Sequence, residues 1–441
     1  MKVAVLDVVG VVVLRFATSL WLRRIGYSHV SDDDFARVVT SQLFAIDAKL
    51  DPTGTSWLPF PFWITGTVMK VAGRSIDVAV ATGLVLGALA SVPVHVVALA
   101  RGFGRKPVLV AMLVASFVPW NAWLAASVVP EAWTHGLVAA AILATGTARP
   151  SPVLAVGLLA ATLSRYEAWP VAFVYGACAI VGSFRGAGTS DGVPRGRALA
   201  MATAATAFLG PVLWMAWNAH AHGSPTHFAT RVAAYRQAIG AAAIPVTDKL
   251  LGYPRALVLV SPLLAVAGAV AVVVLGRTAP RRFAGVAIAS AALLGFLVVG
   301  DLKDGAPTHH PERAVLALVW VAAATAAGAF SAIDGFLARS PARLPARRAF
   351  AACLGTLLLV WAVPLPSRLR DHPARAADEV RSVQIARGAE YASRGVPKIV
   401  VTPCAYEHFA LLAGFERPDR AEILAATKGP VDDRCPAVEP R

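Results

Sequence analysis

Long runs of apolar residues alternate with short polar segments along most of this chain. A helix needs about 20 apolar residues to cross the roughly 30 Å hydrocarbon core of a bilayer. We expect the two shortest runs, 151–165 and 168–184, to form a tight hairpin around the polar sequence 164–167. The pattern predicts an all-α polytopic membrane protein. It places about eleven transmembrane helices at 3–22, 76–100, 107–129, 132–148, 151–165, 168–184, 198–220, 256–276, 283–300, 314–333 and 349–365.

Three segments do not have this apolar pattern. The segments 23–75 and 221–255 are long but too polar to cross a membrane, so we expect short helices that lie along its surface. The tail, 367–441, has the composition of a soluble domain, with a helix, a strand and a helix predicted in that order. The sequence therefore predicts a transmembrane domain over 1–366 and a small α/β domain over 367–441.

Composition supports the membrane assignment and changes how the charge is interpreted. The 441 residues are 57% hydrophobic and only 15% charged, whereas soluble domains carry about 25% charged residues. This excludes a soluble cytosolic enzyme. The net charge of +15 could suggest a nucleic-acid partner. Its basic residues, however, lie in short clusters between apolar runs, which is typical of cytoplasmic loops, so we expect no nucleic acid.

The distribution of arginines also predicts an orientation. Basic residues concentrate in every second loop, at 101–106, 185–197, 277–282 and 339–348. The positive-inside rule makes these loops cytoplasmic. We therefore expect a multi-pass protein of the plasma (inner) membrane, with a cytoplasmic N-terminus and an extracytoplasmic tail. A disulfide between Cys404 and Cys435 of the tail is then an open alternative to two free thiols.

Three consecutive carboxylates, Asp32, Asp33 and Asp34, follow the first predicted span. Adjacent like charges repel, so at least one of them should hold its proton more tightly unless a cation is near. Such a carboxylate suits a general base that takes a proton from a sugar hydroxyl. The alternative is a solvated acidic loop or an N-cap of the following helix.

Three more charged residues lie where predicted spans meet. Glu131 stands between two spans with almost no loop, and an ionisable group at that depth is a functional candidate. It could equally be a helix-start carboxylate favoured by the helix dipole. Arg165 and Glu167 lie at the hairpin tip, where the arginine suits a phosphate contact or a simple pair with Glu167.

Two later loops contribute further candidates. Arg231 follows a Gly-Ser-Pro turn at 223–225, and His309, His310 and Arg313 lie at the entry to the tenth span. The histidines and arginines could hold a phosphate, or could only solvate the membrane interface. The other histidines near 220–227 match no standard zinc spacing, so we predict no metal site.

Taken in order, these motifs resemble those of the GT-C superfamily of integral membrane glycosyltransferases, which includes the aminoarabinose transferases and the protein O-mannosyltransferases. The resemblance covers roughly residues 1–365. Its motifs lie at 32–34, 57–63, 130–131, 164–168, 218–225 and 309–313.

The resemblance implies transfer of a sugar from a polyprenyl-phosphate donor to a lipid, protein or glycan acceptor, with inversion. A first-loop aspartate would be the base; we choose Asp33, although the family often has Asp-Glu where this chain has three aspartates. Glu131 would be a second carboxylate, and Arg165, Arg313 and His310 would hold the donor phosphate. The mechanism requires no cofactor and leaves room for a divalent cation. The alternatives are a transporter or flippase of lipid-linked sugars and a non-catalytic scaffold.

Overall fold

We describe the protein from a computed structural model that covers residues 2–54, 56–145, 151–185, 193–238, 244–303, 310–339, 341–402, 408–424 and 437–440. The fold is almost entirely helical. In the first half, the helices are α1 Lys2–Arg24, α2 Asp33–Ile46, α3 Phe60–Ala72, α4 Ile76–Leu89, α5 Ser91–Ala100, α6 Arg105–Ser116, α7 Pro119–Ala125, α8 Glu131–Ala144, α9 Pro152–Thr162, α10 Ala168–Arg185 and α11 Val193–His222. In the second half they are α12 His227–Ala238, α13 Val246–Val260, α14 Pro262–Thr278, α15 Pro280–Leu302, α16 Pro311–Ala314, α17 Leu316–Ala338, α18 Leu344–Ala362, α19 Leu365–Arg370, α20 Asp378–Ser393 and α21 His408–Phe415.

The described residues contain six helices that are long and apolar enough to cross a membrane, or up to eight if each of two bent pairs is one span. The fold is thus that of an all-α polytopic membrane protein, but the predicted number of eleven spans is not confirmed. Helices also lie at the other predicted positions, yet α8 and α9 have only 14 and 11 residues. The six long stretches are Ala4–Arg24, Ile76–Ala100, Gly196–His222, Pro280–Leu302, Leu316–Ala338 and Leu344–Ser393.

Proline explains both bent pairs. The predicted span 107–129 divides into α6 and α7, which meet at 73°, and the helices α13 and α14 meet at 104°. Pro119 and Pro262 each occupy the first turn of the second helix. A proline there has no backbone N–H to give to the preceding helix and favours an extended residue before it, so the first helix ends.

The centre of the bundle is formed by α8 and the first half of α17. Nearly every residue of α8 is buried, whereas no residue of α18 is. Small residues allow close contact between backbones: a Cβ atom on Gly136 would lie 1.8 Å from the carbonyl oxygen of Ala90. The bundle is therefore packed around α8, and α18 presents its apolar side chains outward.

The two ends of the bundle are formed by different segments of the chain. At the end where α1 begins, Arg105 pairs with Asp7 at 2.5 and 2.8 Å, and Arg101 donates to the carbonyl oxygens of Leu143 and Arg282. We call this the Arg105 end. It gathers loops that the sequence analysis expects to be cytoplasmic. The residues that follow α1 lie at the other end, beside the tail.

The tail combines helices with a small sheet and packs on the segment that follows α1. Its strands are β1 Ile399–Thr402, β2 Ala421–Ile423 and β3 Ala437–Pro440. They are ordered β2-β1-β3, with β1 parallel to β2 and antiparallel to β3. The Gln42 side chain of α2 donates to the carbonyl oxygen of Ala413 at 2.8 Å. The candidate disulfide Cys404–Cys435 lies outside the described residues.

Candidate functional site

A cavity of about 640 Å³ lies at the end of the bundle opposite the Arg105 end, between α2, the α9–α10 hairpin, α12 and α16. It unites segments from across the chain, because the loop after α1, the hairpin tip and the entry to α17 all reach this end. Six of the predicted site residues line it: Asp32, Asp33, Arg165, Arg231, His310 and Arg313.

The first two aspartates of the triplet face different partners. Asp32 accepts two hydrogen bonds from Arg381 of the tail, at 2.7 and 3.0 Å. Asp33 opens α2, and its side chain is 39% exposed in the cavity, with one oxygen 3.7 Å from Nη1 of Arg313. Each carboxylate thus lies near a different arginine, which is how adjacent charges are tolerated.

The third aspartate, Asp34, does not line the cavity. It is 3% exposed and accepts hydrogen bonds from the backbone N–H groups of Val30 at 3.0 Å, Ser31 at 3.3 Å and Val128 at 2.9 Å. Burial raises the pKa of Asp34, although these hydrogen bonds and nearby cations oppose the rise. Asp34 therefore ties the start of α2 to the loop before α8. It does not cap α2, whose N-cap residue is Asp32, and the side chain of Asp32 makes no capping hydrogen bond.

Glu131 and Glu167 lie behind the cavity wall and hold two of its arginines. Oε1 of Glu131 is 2.5 Å from Nη2 of Arg313 and 3.2 Å from Nη1 of Arg165. Nε of Arg165 donates to Glu167 at 2.7 Å. All four side chains are at least nine-tenths buried. We call these four residues the buried charge cluster.

The buried charge cluster keeps some hydrogen-bonding capacity unused. Nη2 of Arg165 and Nε of Arg313 are buried and make no hydrogen bond to the residues that the structure describes. A buried donor without a partner costs about 1–3 kcal/mol. Both arginines line the cavity, although these two nitrogens are themselves buried.

Two cationic residues of the cavity were not singled out in the sequence. Arg37 is 5% exposed and stacks over the ring of Trp57, 4.4 Å from its centre. Arg236 is 6% exposed and pairs with Asp301 at 2.5 Å. A signal existed for Arg37, which follows Asp33 by four residues and so shares its helix face. With Arg165, Arg231 and Arg313, five arginines line this cavity.

The tail contributes to the site, which the sequence analysis did not anticipate. Phe409 lines the cavity, and Asp378 at the start of α20 binds the loop after α1. Asp378 accepts a hydrogen bond from Ser28 Oγ at 2.5 Å and lies 2.7 Å from Nε2 of His372. Burial alone would raise the pKa of Asp378, but the contacts with His29, His372 and Ser28 hold it well below the ordinary range.

The remaining predicted residues lie at the edge of the cavity or outside the described residues. His310 stands 5.8 Å from the ring of Trp120, and Arg231 is exposed on α12. His309 lies outside the described residues. Within those residues, no group of three or more His, Cys, Asp or Glu side chains is placed to hold a metal ion.

The function of this site has to be inferred from its geometry. No protein-family model matches the chain, and no curated protein matches it. The site can nevertheless be described chemically. It is a cavity at one end of a membrane bundle, with two partly exposed carboxylates, a lining of arginines and two buried glutamates that hold two of those arginines.

Proposed function

We propose that this protein is a membrane glycosyltransferase that moves a sugar from a polyprenyl-phosphate donor to an extracytoplasmic acceptor. The observation that carries the proposal is the presence of Asp33 and several arginines in one cavity at the end of the bundle. A sugar transfer of this kind needs a carboxylate to take a proton and cations to stabilise a leaving phosphate. Both are supplied by residues that line this cavity.

Asp33 is the proposed base, because the other two carboxylates of the triplet are engaged. Asp32 is bound by Arg381 and Asp34 by backbone N–H groups. In the reaction, Asp33 accepts the proton of an acceptor hydroxyl, whose oxygen attacks the anomeric carbon. The bond from that carbon to the phosphate oxygen breaks, and polyprenyl phosphate leaves with the bonding electrons. This single displacement inverts the anomeric centre.

The arginines are the proposed phosphate-binding groups. Arg165 and Arg313 are held in place by Glu131 and Glu167 before any ligand arrives. Preorganised cations cost no reorganisation when charge develops on the leaving group. Glu131 and Glu167 therefore act in this proposal by positioning arginines, whereas Arg231 reaches the phosphate from the exposed helix α12.

The experiment measures release of polyprenyl phosphate by the protein in nanodiscs, with a panel of polyprenyl-phosphate sugars and candidate acceptors. We expect release with at least one donor. Asp33→Asn should lower the rate by about 100-fold or more, because general-base catalysis contributes about 10²–10⁴-fold, while donor binding persists. The control is Asp47→Asn at the exposed end of α2, where Asp47 pairs with the exposed Lys49 at 3.0 Å. An unchanged rate in Asp33→Asn would refute the assignment of the base.

A carrier or flippase of lipid-linked sugars is the second candidate. The observation that favours it is the presence of two bent helix pairs, since broken helices surround the sites of many transporters. A carrier would move the donor across proteoliposomes without releasing polyprenyl phosphate. The arginines favour the transferase because they cluster at one end of the bundle and not at its middle.

A further inference from the structure

Arg381 links the tail to the acidic triplet, although 349 residues separate it from Asp32. The side chain is 3% exposed. Its Nε and Nη2 atoms donate two parallel hydrogen bonds to the two oxygens of Asp32, and its Nη1 donates to Gln384 at 3.2 Å. Such a two-point contact fixes the orientation of a carboxylate as well as its distance.

Arg381 is itself held rigidly, because the helices of the tail pack closely. A Cβ atom on Gly388 of α20 would lie 2.1 Å from the carbonyl oxygen of Leu411, and one on Gly414 would lie 2.1 Å from that of Ile385. The backbones of α20 and α21 are therefore in direct contact. Since α21 also packs on α2, the tail fixes Arg381 relative to the helix that begins with Asp33.

The charges around the triplet show what this contact does. Asp32 faces Arg381 and, at 3.8 Å, Nε2 of His29. Asp33 faces Arg313, with the charges of Arg37 and Arg165 near enough to interact. Without Arg381, the negative charge of Asp32 would lie next to Asp33 without the cation that now pairs with it.

We propose that the tail is a working part of the active site, with Arg381 as a positioning residue that neutralises Asp32 and orients Asp33 toward the cavity. This inference rests on the proposed function. Arg381 does not touch the substrate. It neutralises the like charge beside Asp33, and it holds the first turn of α2 in one orientation.

The test is the pH dependence of sugar transfer in four variants: Arg381→Gln, Arg381→Lys, Asp32→Asn and the double variant Asp32→Asn/Arg381→Gln. We expect Arg381→Gln to lower kcat about tenfold. It should also move the acidic limb of the pH–rate profile about one unit to higher pH, because the charge of Asp32 beside Asp33 would then be uncompensated. The double variant should return the limb toward its original pH, because it has no uncompensated charge. Arg381→Lys should keep the limb in place, since it keeps the cation.

The matched control is Arg394→Gln, at the C-cap of the same helix, where an exposed arginine pairs with Glu390. It should change neither the rate nor the limb. A purely structural tail would give a lower rate and a lower unfolding midpoint in Arg381→Gln with the limb unmoved, and that result would overturn the proposal. If Arg381→Gln does not fold, Asp32→Asn still tests the proposal. The proposal would be overturned if folded Asp32→Asn lost as much activity as Asp33→Asn. Absence of transfer by the wild type would instead refute the proposed function.

Discussion

Glu131 is the residue whose burial most needs an explanation. Its side chain is fully buried at the start of α8, between Arg165 and Arg313. Taking a carboxylate out of water costs several kcal/mol, and only well-placed cations recover that cost. Here two guanidinium groups share one oxygen. Removing the charge would leave two buried cations facing each other across the gap.

We therefore expect Glu131→Gln to destabilise the protein by about 3–5 kcal/mol, the usual cost of breaking a buried ion pair. The measurement is thermal or denaturant unfolding in the same detergent for all variants. Glu390→Gln is the matched control, because its pair with Arg394 is more than half exposed and such pairs contribute about 0–1 kcal/mol. Equal stability of the two variants would mean that the buried charge cluster contributes little to the fold.

The sequence could predict single residues of the candidate site, but not which of them come together. The depth of Glu131 along the chain marked it as a candidate, but nothing local indicates that its partner Arg313 lies 182 residues away. The choice of Asp33 within the triplet depended on how α2 is rotated about its axis, which only the packing of α2 against α3 and the tail determines. Arg381 carried no signal at all, since it lies in a tail of ordinary soluble composition.

At the scale of helices, the apolar runs predict where helices lie better than they predict where each helix begins and ends. The run at 107–129 reads as one span because its residues are uniformly apolar, yet Pro119 divides it into two helices 73° apart. The hydrophobicity of a segment indicates whether it lies in lipid or in water. Its backbone geometry depends on single residues such as proline and on close contacts such as the one at Gly136. The number of spans is therefore harder to predict than the class of fold.

The contact at Gly136 leads to a prediction about helix packing. Because a Cβ atom there would lie 1.8 Å from the carbonyl oxygen of Ala90, Gly136→Ala must push α8 away from the end of α4. Overpacking of this kind costs about 1–3 kcal/mol or more. Gly182→Ala on α10 is the control, since no atom lies within 4 Å of its added Cβ. We expect the control to be neutral or more stable by up to about 1 kcal/mol, and equal unfolding midpoints would contradict the described packing.

At the scale of the whole molecule, the Arg105 end and the cavity lie at opposite ends of the bundle. The Arg105 end gathers the contacts of Arg101 and Arg105 with neighbouring loops. The other end holds the cavity and the tail. A lipid-linked donor is held in a bilayer by its hydrocarbon chain, so its phosphate can reach the cavity only if the cavity lies at the membrane surface. For the proposed transferase, the direction in which the protein crosses the membrane then decides from which side it would take the sugar.

The positive-inside rule places the Arg105 end in the cytoplasm, so the cavity should face outward. Two matched substitutions test this in a background from which the four native cysteines have been replaced by serine. Thr226→Cys lies in the turn before α12 on the cavity side, and Thr278→Cys lies at the end of α14, near Arg282 of the Arg105 end; both threonines are exposed. A membrane-impermeant maleimide should label Thr226→Cys in intact cells and label Thr278→Cys only after permeabilisation. The reverse pattern would place the arginines of the cavity in the cytoplasm, and the sugar donor would then have to be used from that side.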